Sequence, residues 1–327
     1  MQVSVVIPTY YRRKDVDRCL DSIVVQTTLP KEVIVVDDSE NDEVKNLIEQ
    51  KKEKFKQKGI DLRYIRNKRE RGLTIARNIG VENATGDVIL FLDSDVILDK
   101  EYIREILKVY KEKPNTLGVQ GLICTDRKAK RKLSKFIEAF NKVFYIQLDE
   151  KNKFRLLPSL GVSFPSVVDE IINCEWLSGA NQSYRREILK EFRWDENLKR
   201  YSQGEDLDLP YRIFKKYPDS LFMTPHAKLV HNEAEEGRPQ KRELIYMDII
   251  YLTYLFYKNI DQNLKNKLIY IWSWIGRTMF GIVSSILNPS KKFLEAKYQI
   301  EALFYCMKHM REIKEGNLEF FNRTLRG

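Results

Sequence analysis

Short β-branched runs alternate with stretches of helical spacing through the first third of the chain. Residues 3–7 (VSVVI), 33–36 (VIVV), 62–65 and 88–92 (VILFL) read as strands from their Val, Ile and Leu content. Between them, residues 15–25 place Val16, Cys19, Leu20 and Ile23 on one helical face. Residues 41–58, 73–84 and 99–111 carry similar helical patterns. Continuous apolar strands separated by helices predict an α/β fold with a parallel sheet covered on both faces. In such sheets ligands bind beyond the carboxyl ends of the strands. Three strands here end in polar sequence: Pro8-Thr9-Tyr10, Asp37-Asp38 and Asp93-Ser94-Asp95. The carboxylates are therefore expected to converge on one edge.

Residues 117–225 are less regular and are broken by Gly118, Gly121, Gly161 and Gly179. The charge run 128–135 reads as a solvated face or loop. Residues 176–181 (WLSGAN) read as a strand turning into a helix that begins near Tyr184, 204–215 as a helix start, and 223–231 as a last strand. From about residue 238 the pattern turns helical and aromatic, in stretches 244–257, 268–287 and 293–309, with gaps at 258–259 and 288–290. This predicts a boundary near residue 236, between an α/β unit over 1–236 and a C-terminal helical region over 237–327.

Composition narrows the class. The chain has 327 residues, 43% hydrophobic and 32% charged, which excludes fibrous and wholly disordered classes. Its net charge of +10 suits phosphate-bearing small molecules, nucleic acid or an anionic membrane surface, without choosing among them. The lysines are dispersed and no nucleic-acid motif is present, so no nucleic-acid partner is expected. The four cysteines are widely spaced and form no metal or redox signature, which fits a reduced, cytoplasmic setting. The N-terminus lacks a basic segment before its apolar run and reads as a first strand, not a signal peptide.

Asp93-Ser94-Asp95 is the sharpest candidate. Two carboxylates at i and i+2 after a buried strand can bind a hard divalent cation and, through it, a diphosphate. For Asp37-Asp38 two readings stand side by side: an Asx turn ending the strand, or recognition of a base or ribose. Glu205, Asp206 and Asp208 at a helix start are either dipole-compensating caps or include a general base. His226 and His231 are strand histidines; either is a structural residue or completes a carboxylate metal site. Arg77 and the Arg12-Arg13 pair are candidate phosphate contacts or ordinary surface arginines.

In order and spacing, these pieces resemble the family 2 glycosyltransferases, inverting enzymes of the GT-A fold. The resemblance runs through Val5–Tyr10, Val35–Ser39, Gly72-Leu73, Ala76–Asn78, Ala84–Asp87, Phe91–Asp95, Trp176–Asn181, Gly204–Leu209 with Arg212, and Pro225–His231. It implies a Rossmann-like domain with a mixed, mainly parallel sheet, a nucleotide-diphosphate sugar donor, and a divalent cation, Mg²⁺ or Mn²⁺. On the donor side it implies Pro8, Thr9, Tyr10, Asp38, Arg77, Asp93 and Ser94. Asp95, Asp93 and His231, not His226, would hold the metal. Asp206 would be the general base, Glu205 would orient the acceptor, and Gly179 and Asn181 would shape the acceptor side. The implied reaction moves one sugar to a hydroxyl of a glycan or lipid-linked saccharide, with inversion. The sequence departs from the family's first motif, where Tyr11 and Arg12 (PTYYRR) replace the usual Asn. It also lacks the QxxRW motif of processive synthases, so single-sugar transfer is expected.

The stretch 268–287 is twenty residues long, but Arg277 in its middle would cost about 2.5–3.5 kcal/mol on insertion. Spanning is disfavoured. Three other fates remain: core packing on the catalytic unit, a dimer face, or peripheral attachment of 244–287 to the cytoplasmic membrane face, where Trp272, Trp274, Lys291 and Lys292 are at home. Two rival functions fit less well. A sugar-phosphate nucleotidyltransferase would open with a Gly-rich phosphate loop, and PTYYRRKD has no glycine. A degenerate, purely nucleotide-sugar-binding protein would have lost a carboxylate, yet Asp93, Asp95, Glu205 and Asp206 are all present.

Overall fold

The computed structural model describes residues 1–124, 134–232 and 236–325. Its strands are β1 (Val3–Thr9), β2 (Glu32–Asp37), β3 (Asp61–Arg66), β4 (Val88–Phe91), β5 (Val96–Leu98), β6 (Gly118–Ile123), β7 (Gln147–Leu148), β8 (Arg155–Leu156), β9 (Val162–Ser163), β10 (Ile172–Asn173), β11 (Gln182–Arg185) and β12 (Leu221–His231). The helices are α1 (Arg13–Val24), α2 (Glu43–Gln57), α3 (Leu73–Asn83), α4 (Tyr102–Glu112), α5 (Ser134–Val143), α6 (Ile188–Glu191), α7 (Glu205–Lys216), α8 (Lys241–Asn259), α9 (Leu264–Leu287), α10 (Pro289–Lys308), α11 (Met310–Lys314) and α12 (Glu319–Asn322).

The main sheet runs β10-β12-β6-β11-β4-β1-β2-β3, with β5 paired to β12. β1 pairs in parallel with both β2 and β4, and β2 with β3, as the alternating pattern predicts. β11 is antiparallel to β4 and β6, which makes the sheet mixed. A second, three-stranded sheet joins β7, β9 and β8. Every residue of β1, β2 and β4 is buried, because helices cover both faces. One core packs α1, α2 and α4 side chains such as Leu20, Ile48 and Tyr102 on one face. The other packs Ile75, Ile79, Trp194 and Leu209 on the opposite face.

Three expectations need correction. No helix begins near Tyr184: the chain turns at 178–180 and then runs as β11, where Tyr184 is fully buried and pairs with Ile89 and Gly118. Tyrosine is a strand former, and the sheet supplied the partners that local sequence could not reveal. β5 and β6 were not foreseen as strands; β6 is glycine-bearing and is held between β11 and β12. The gap expected at 288–290 is shorter, since α10 starts with Pro289 in its first turn, where a missing N–H costs nothing. Residues 128–133 of the charge run lie outside the described residues.

A third core belongs to the C-terminal helices. α8 is buried nearly all round, with Met247, Ile250, Tyr251 and Leu255 inside. Leu156, Leu160 and Leu198 from the first 236 residues join this cluster. Hydrogen bonds extend the seam: the Tyr251 hydroxyl accepts from the Lys199 amide (3.1 Å) and donates to Asn322 Oδ1 (2.9 Å), and Asn322 Nδ2 donates to the Asn197 carbonyl (3.0 Å). No helix among the described residues is long and apolar enough to cross a membrane.

Candidate active site

A cavity of about 530 Å³ opens at the carboxyl ends of β1 and β4. Pro8, Thr9, Tyr10 and Asp38 line one end, Asp93, Ser94 and His231 the middle, and Gly179, Glu205 and Asp206 the far wall. Strand ends as far apart in sequence as Thr9 and His231 thus meet at one edge.

β12 explains how His231 arrives there. The strand first runs parallel to β6, shifts register between Thr224 and Lys228, and then pairs antiparallel with β5, placing His231 opposite Val96. His231 Nε2 lies 3.1 Å from Asp95 Oδ1. His226 stands in the outward phase of the strand and is exposed, away from the carboxylates. Asp93, Asp95 and His231 offer three ligand atoms that all lie within 4.8 Å of one another. Two hard oxygens and one imidazole fit Mg²⁺ or Mn²⁺, so the residues present suit a divalent cation. Asp95 Oδ2 is engaged by Arg12 Nη1 at 3.1 Å. Burial, opposed by Arg77, raises the pKa of Asp93.

Arg77 is the hub of the far wall. It is fully buried, and its guanidinium pairs with Glu205 and with Asp93 (3.4 Å) while donating to the Gly179 carbonyl (2.8 Å). All of these partners are protein groups, so its charge is spent on holding two carboxylates and a turn together. Glu205 also accepts from Trp194 Nε1 (3.1 Å) and is buried. Asp206, its neighbour on the first turn of α7, is half-buried and lines the cavity. Its carboxylate accepts from the Gly179 amide, yet burial and then the Glu205 charge push its pKa up to about 7. Gly204 precedes α7 in the left-handed region (φ +85°), which turns the helix start into the cavity. Asp208 faces elsewhere: it is buried against Arg212 (2.9 Å), Lys258 (2.9 Å) and Asn259 (3.0 Å). Asp208 is therefore taken up by side-chain pairs, while Asp206 faces the open space.

At the other end the acidic pair also divides its work. Asp37 is fully buried, accepting from the Ser39 amide (2.9 Å) and the Tyr64 hydroxyl (3.0 Å), as an Asx turn would. Asp38 reaches the cavity and accepts from Asn67 Nδ2 (2.7 Å) and the Gly72 amide (2.9 Å). Burial nonetheless pushes its pKa up to about 6.

Asn181 is not brought to the cavity wall. It is fully buried behind it, its Oδ1 accepting from the Gly121 amide (3.1 Å). Several lining residues escaped sequence reasoning: Arg71, Arg200, Tyr201, Arg238, Gln240 and Glu243. Arg71 packs over the Tyr10 ring (4.3 Å) and donates to its hydroxyl. Its place next to Gly72, at the start of α3, was the one available signal. Arg238, Gln240 and Glu243 lie beyond residue 236 and so fell outside the expected catalytic unit.

Comparison with known proteins agrees with this geometry. The model for Glycosyl transferase family 2 matches residues 4–193. A Haemophilus influenzae protein named an uncharacterized glycosyltransferase is 33% identical over 113 residues, covering 35% of this chain and 36% of its own. The chain therefore spans only about a third of that relative. A Haloferax volcanii protein named glucosyl-dolichyl phosphate glucuronosyltransferase is 25% identical over 241 residues, covering 71% of this chain and 69% of its own. Among solved structures, Staphylococcus aureus TarS 1–349 superposes with a TM-score of 0.55 at 20% identity, covering 93% of this chain and 79% of its own. The mannosyltransferase PcManGT from Pyrobaculum calidifontis, in complex with GDP-Man and Mn²⁺, gives 0.55 at 16% identity, covering 93% and 86%. With its mixed, mainly parallel sheet, convergent carboxylates and a family match over more than half its length, the chain belongs to glycosyl transferase family 2 and has the GT-A fold.

Proposed function

We propose that this enzyme transfers one sugar from a nucleotide-diphosphate donor to a hydroxyl of a glycan or lipid-linked saccharide, inverting the anomeric centre, in glycan biosynthesis. One observation carries the reading: the Asp206 carboxylate faces the same cavity as Asp93 and His231, with Asp95 bonded behind them. In this reading 1–236 is the catalytic unit and 237–327 a helical buttress that lends it one wall.

Pro8, Thr9, Tyr10 and Asp38 hold the nucleoside, and Ser94 lies beneath the phosphates. Asp93, Asp95 and His231 would hold Mg²⁺ or Mn²⁺, which when bound would supply positive charge against the departing diphosphate. Asp206 takes the proton from the acceptor hydroxyl. The freed oxygen pair attacks the anomeric carbon on the face opposite the diphosphate, and the old C–O bond breaks with its electrons leaving on the diphosphate. Glu205 stays pinned by Arg77 and Trp194, so its part is to orient Asp206 and the acceptor through a fixed wall. Gly179 keeps that wall flat: a Cβ there would stand 2.7 Å from Glu205 Oε1. Positioning and charge stabilisation supply the rate. The Haloferax relative, named for a dolichyl phosphate acceptor, and PcManGT, solved with GDP-Man and Mn²⁺, support a lipid-linked acceptor and a metal-dependent nucleotide-sugar donor. On that reading the chain sits peripherally on the cytoplasmic face of a membrane.

The test is a donor panel. UDP-, GDP- and dTDP-sugars with Mn²⁺ or Mg²⁺ are scored for thermal stabilisation and slow donor hydrolysis, beside Asp95→Ala. One donor class should stabilise the protein only with metal, and the variant should lose the effect. Release of pyrophosphate in place of a nucleoside diphosphate, or no donor binding with any metal, overturns the reading.

A further inference from the structure

Helix α9 is built inside out. Its buried residues are Tyr270, Ser273 and Gly276, and two of them carry hydroxyls. Its exposed face repeats Leu268, Ile271, Ile275, Met279, Ile282 and Ile286 at three- and four-residue spacing. The apolar surface culminates where α9 turns into α10: Leu287 is 81% exposed, and Phe293 and Leu294 follow it on the next helix. α5 widens the face, since Phe140 contacts Phe280 (5.7 Å) and Phe144 stacks on Trp272 (4.8 Å), leaving Phe136 outward at 77% exposure. Contiguous apolar surface of this kind marks an interaction site.

Charge identifies the occupant. From residue 262 to residue 294 the sequence contains no Asp or Glu. Lys265 and Lys267 are exposed at the start of α9, Lys291 and Lys292 follow its end, with Lys292 paired to Glu295 (3.0 Å), and Arg277 lies half-buried over Trp274 (5.5 Å). A second copy meeting this face about a twofold axis would set the same cationic patch against itself. Like charges across an interface oppose association. An anionic lipid surface meets both properties: headgroups neutralise the lysines, and acyl chains take up the apolar row.

The face also has a fixed relation to the cavity. Lys241, the first residue of α8, lies 3.9 Å from Glu295 on α10, just after Phe293 and Leu294. Gln240 and Glu243, on either side of Lys241, line the cavity.

We infer that the α9–α10 hairpin, with α5 beside it, docks the enzyme onto an anionic bilayer and brings the cavity mouth to the headgroup level. The docking is read from the helices alone; only the consequence that a lipid-borne acceptor enters from the bilayer rests on the function proposed above.

The full chain is sedimented, without donor, with vesicles of phosphatidylcholine alone or mixed with phosphatidylglycerol. The double variant Leu287→Glu, Phe293→Glu runs in parallel, with melting temperature and nucleoside diphosphate binding as checks on its fold. The expected result is capture by the phosphatidylglycerol vesicles only, weakened at least about tenfold in the variant, whose nucleotide binding is unchanged. Equal capture by both vesicle types overturns the anionic recognition. Wild-type protein left in every supernatant overturns the docking. A wild-type dimer by light scattering that the variant dissolves assigns the face to a second copy and overturns it as well. Donor binding in solution fails or succeeds independently of all three.

Discussion

Arg12 and Asp95, 83 residues apart in sequence, meet through Nη1 and Oδ2 at 3.1 Å, and both side chains are largely buried. Arg12 stands in the part of the first motif where this chain departs from its family, after Tyr11, whose backbone is left-handed (φ 53°). The departure thus reaches the proposed cation site directly: one oxygen of Asp95 faces His231 and the other faces a guanidinium.

A cation at this site competes with Arg12 for Asp95. Arg12→Gln is expected to lower the Mn²⁺ concentration giving half-maximal donor stabilisation by roughly three- to tenfold, the scale of a ~1 kcal/mol ion pair. A metal titration followed by thermal shift reads this. Weaker metal dependence in the variant would mean that Arg12 helps to assemble the site.

Asp206 accepts a proton only when ionised, and its pKa stands near 7. Turnover is expected to rise with pH through about 7 and then level. Asp206→Asn should flatten that profile and lower kcat by about 10²–10⁴ while donor binding persists. Stability runs the other way. The folded pKa lies above the unfolded value, so the stabilising proton is fully held below the unfolded pKa of about 4 and lost as pH rises through 7. Relative to wild type, the Asn variant should therefore gain melting temperature progressively between pH 5 and pH 8. A constant difference across that range would sink the assignment.

Gly179 is needed for clearance. An alanine Cβ would sit 2.7 Å from Glu205 Oε1 and 3.5 Å from Arg77 Nη2. Gly179→Ala should displace the Glu205 wall, lowering kcat by about 10²-fold with little change in donor KM. The stability cost is expected at ~1–3 kcal/mol. Steady-state kinetics with varied donor separates the two effects.

Arg77→Met leaves Glu205 and Asp93 without their shared counter-ion. Breaking a buried pair in this way costs about 3–5 kcal/mol, read as a fall in unfolding free energy in urea. Arg77→Lys keeps the charge but not the fork that reaches two carboxylates and a carbonyl, so rescue should be partial. Full rescue by lysine would show that charge alone matters.

Much of this was legible in the sequence. The strands β1, β2 and β4 are buried along their whole length and mostly apolar because both faces are covered, and their polar ends mark the edge where the cavity opens. The i, i+2 acids after β4 and the acids opening α7 were visible as candidates. Their division of labour was not: Asp37 is consumed by a local turn and Asp208 by Arg212, Lys258 and Asn259, while Asp38 and Asp206 reach the cavity, and only packing decides that. Asn181 looked available but is taken by the Gly121 amide. Arg71, Arg200 and Arg238 belong to loops with no period to read. β11 reads locally as a helix start because its pairing partners lie 62 (Gln182–Gln120) to 97 (Arg185–Val88) residues away.

One continuous piece of chain runs from β12, which carries His231, through the cavity wall at Gly237–Glu243 and into α8. Any chimera joined at this boundary would exchange part of the reaction chamber along with the helices. Donor choice and the partner held by the C-terminal third are thus not separable modules here. A graft that retargets the enzyme has to be cut upstream of His231 or downstream of Glu243, and each choice keeps a different set of walls.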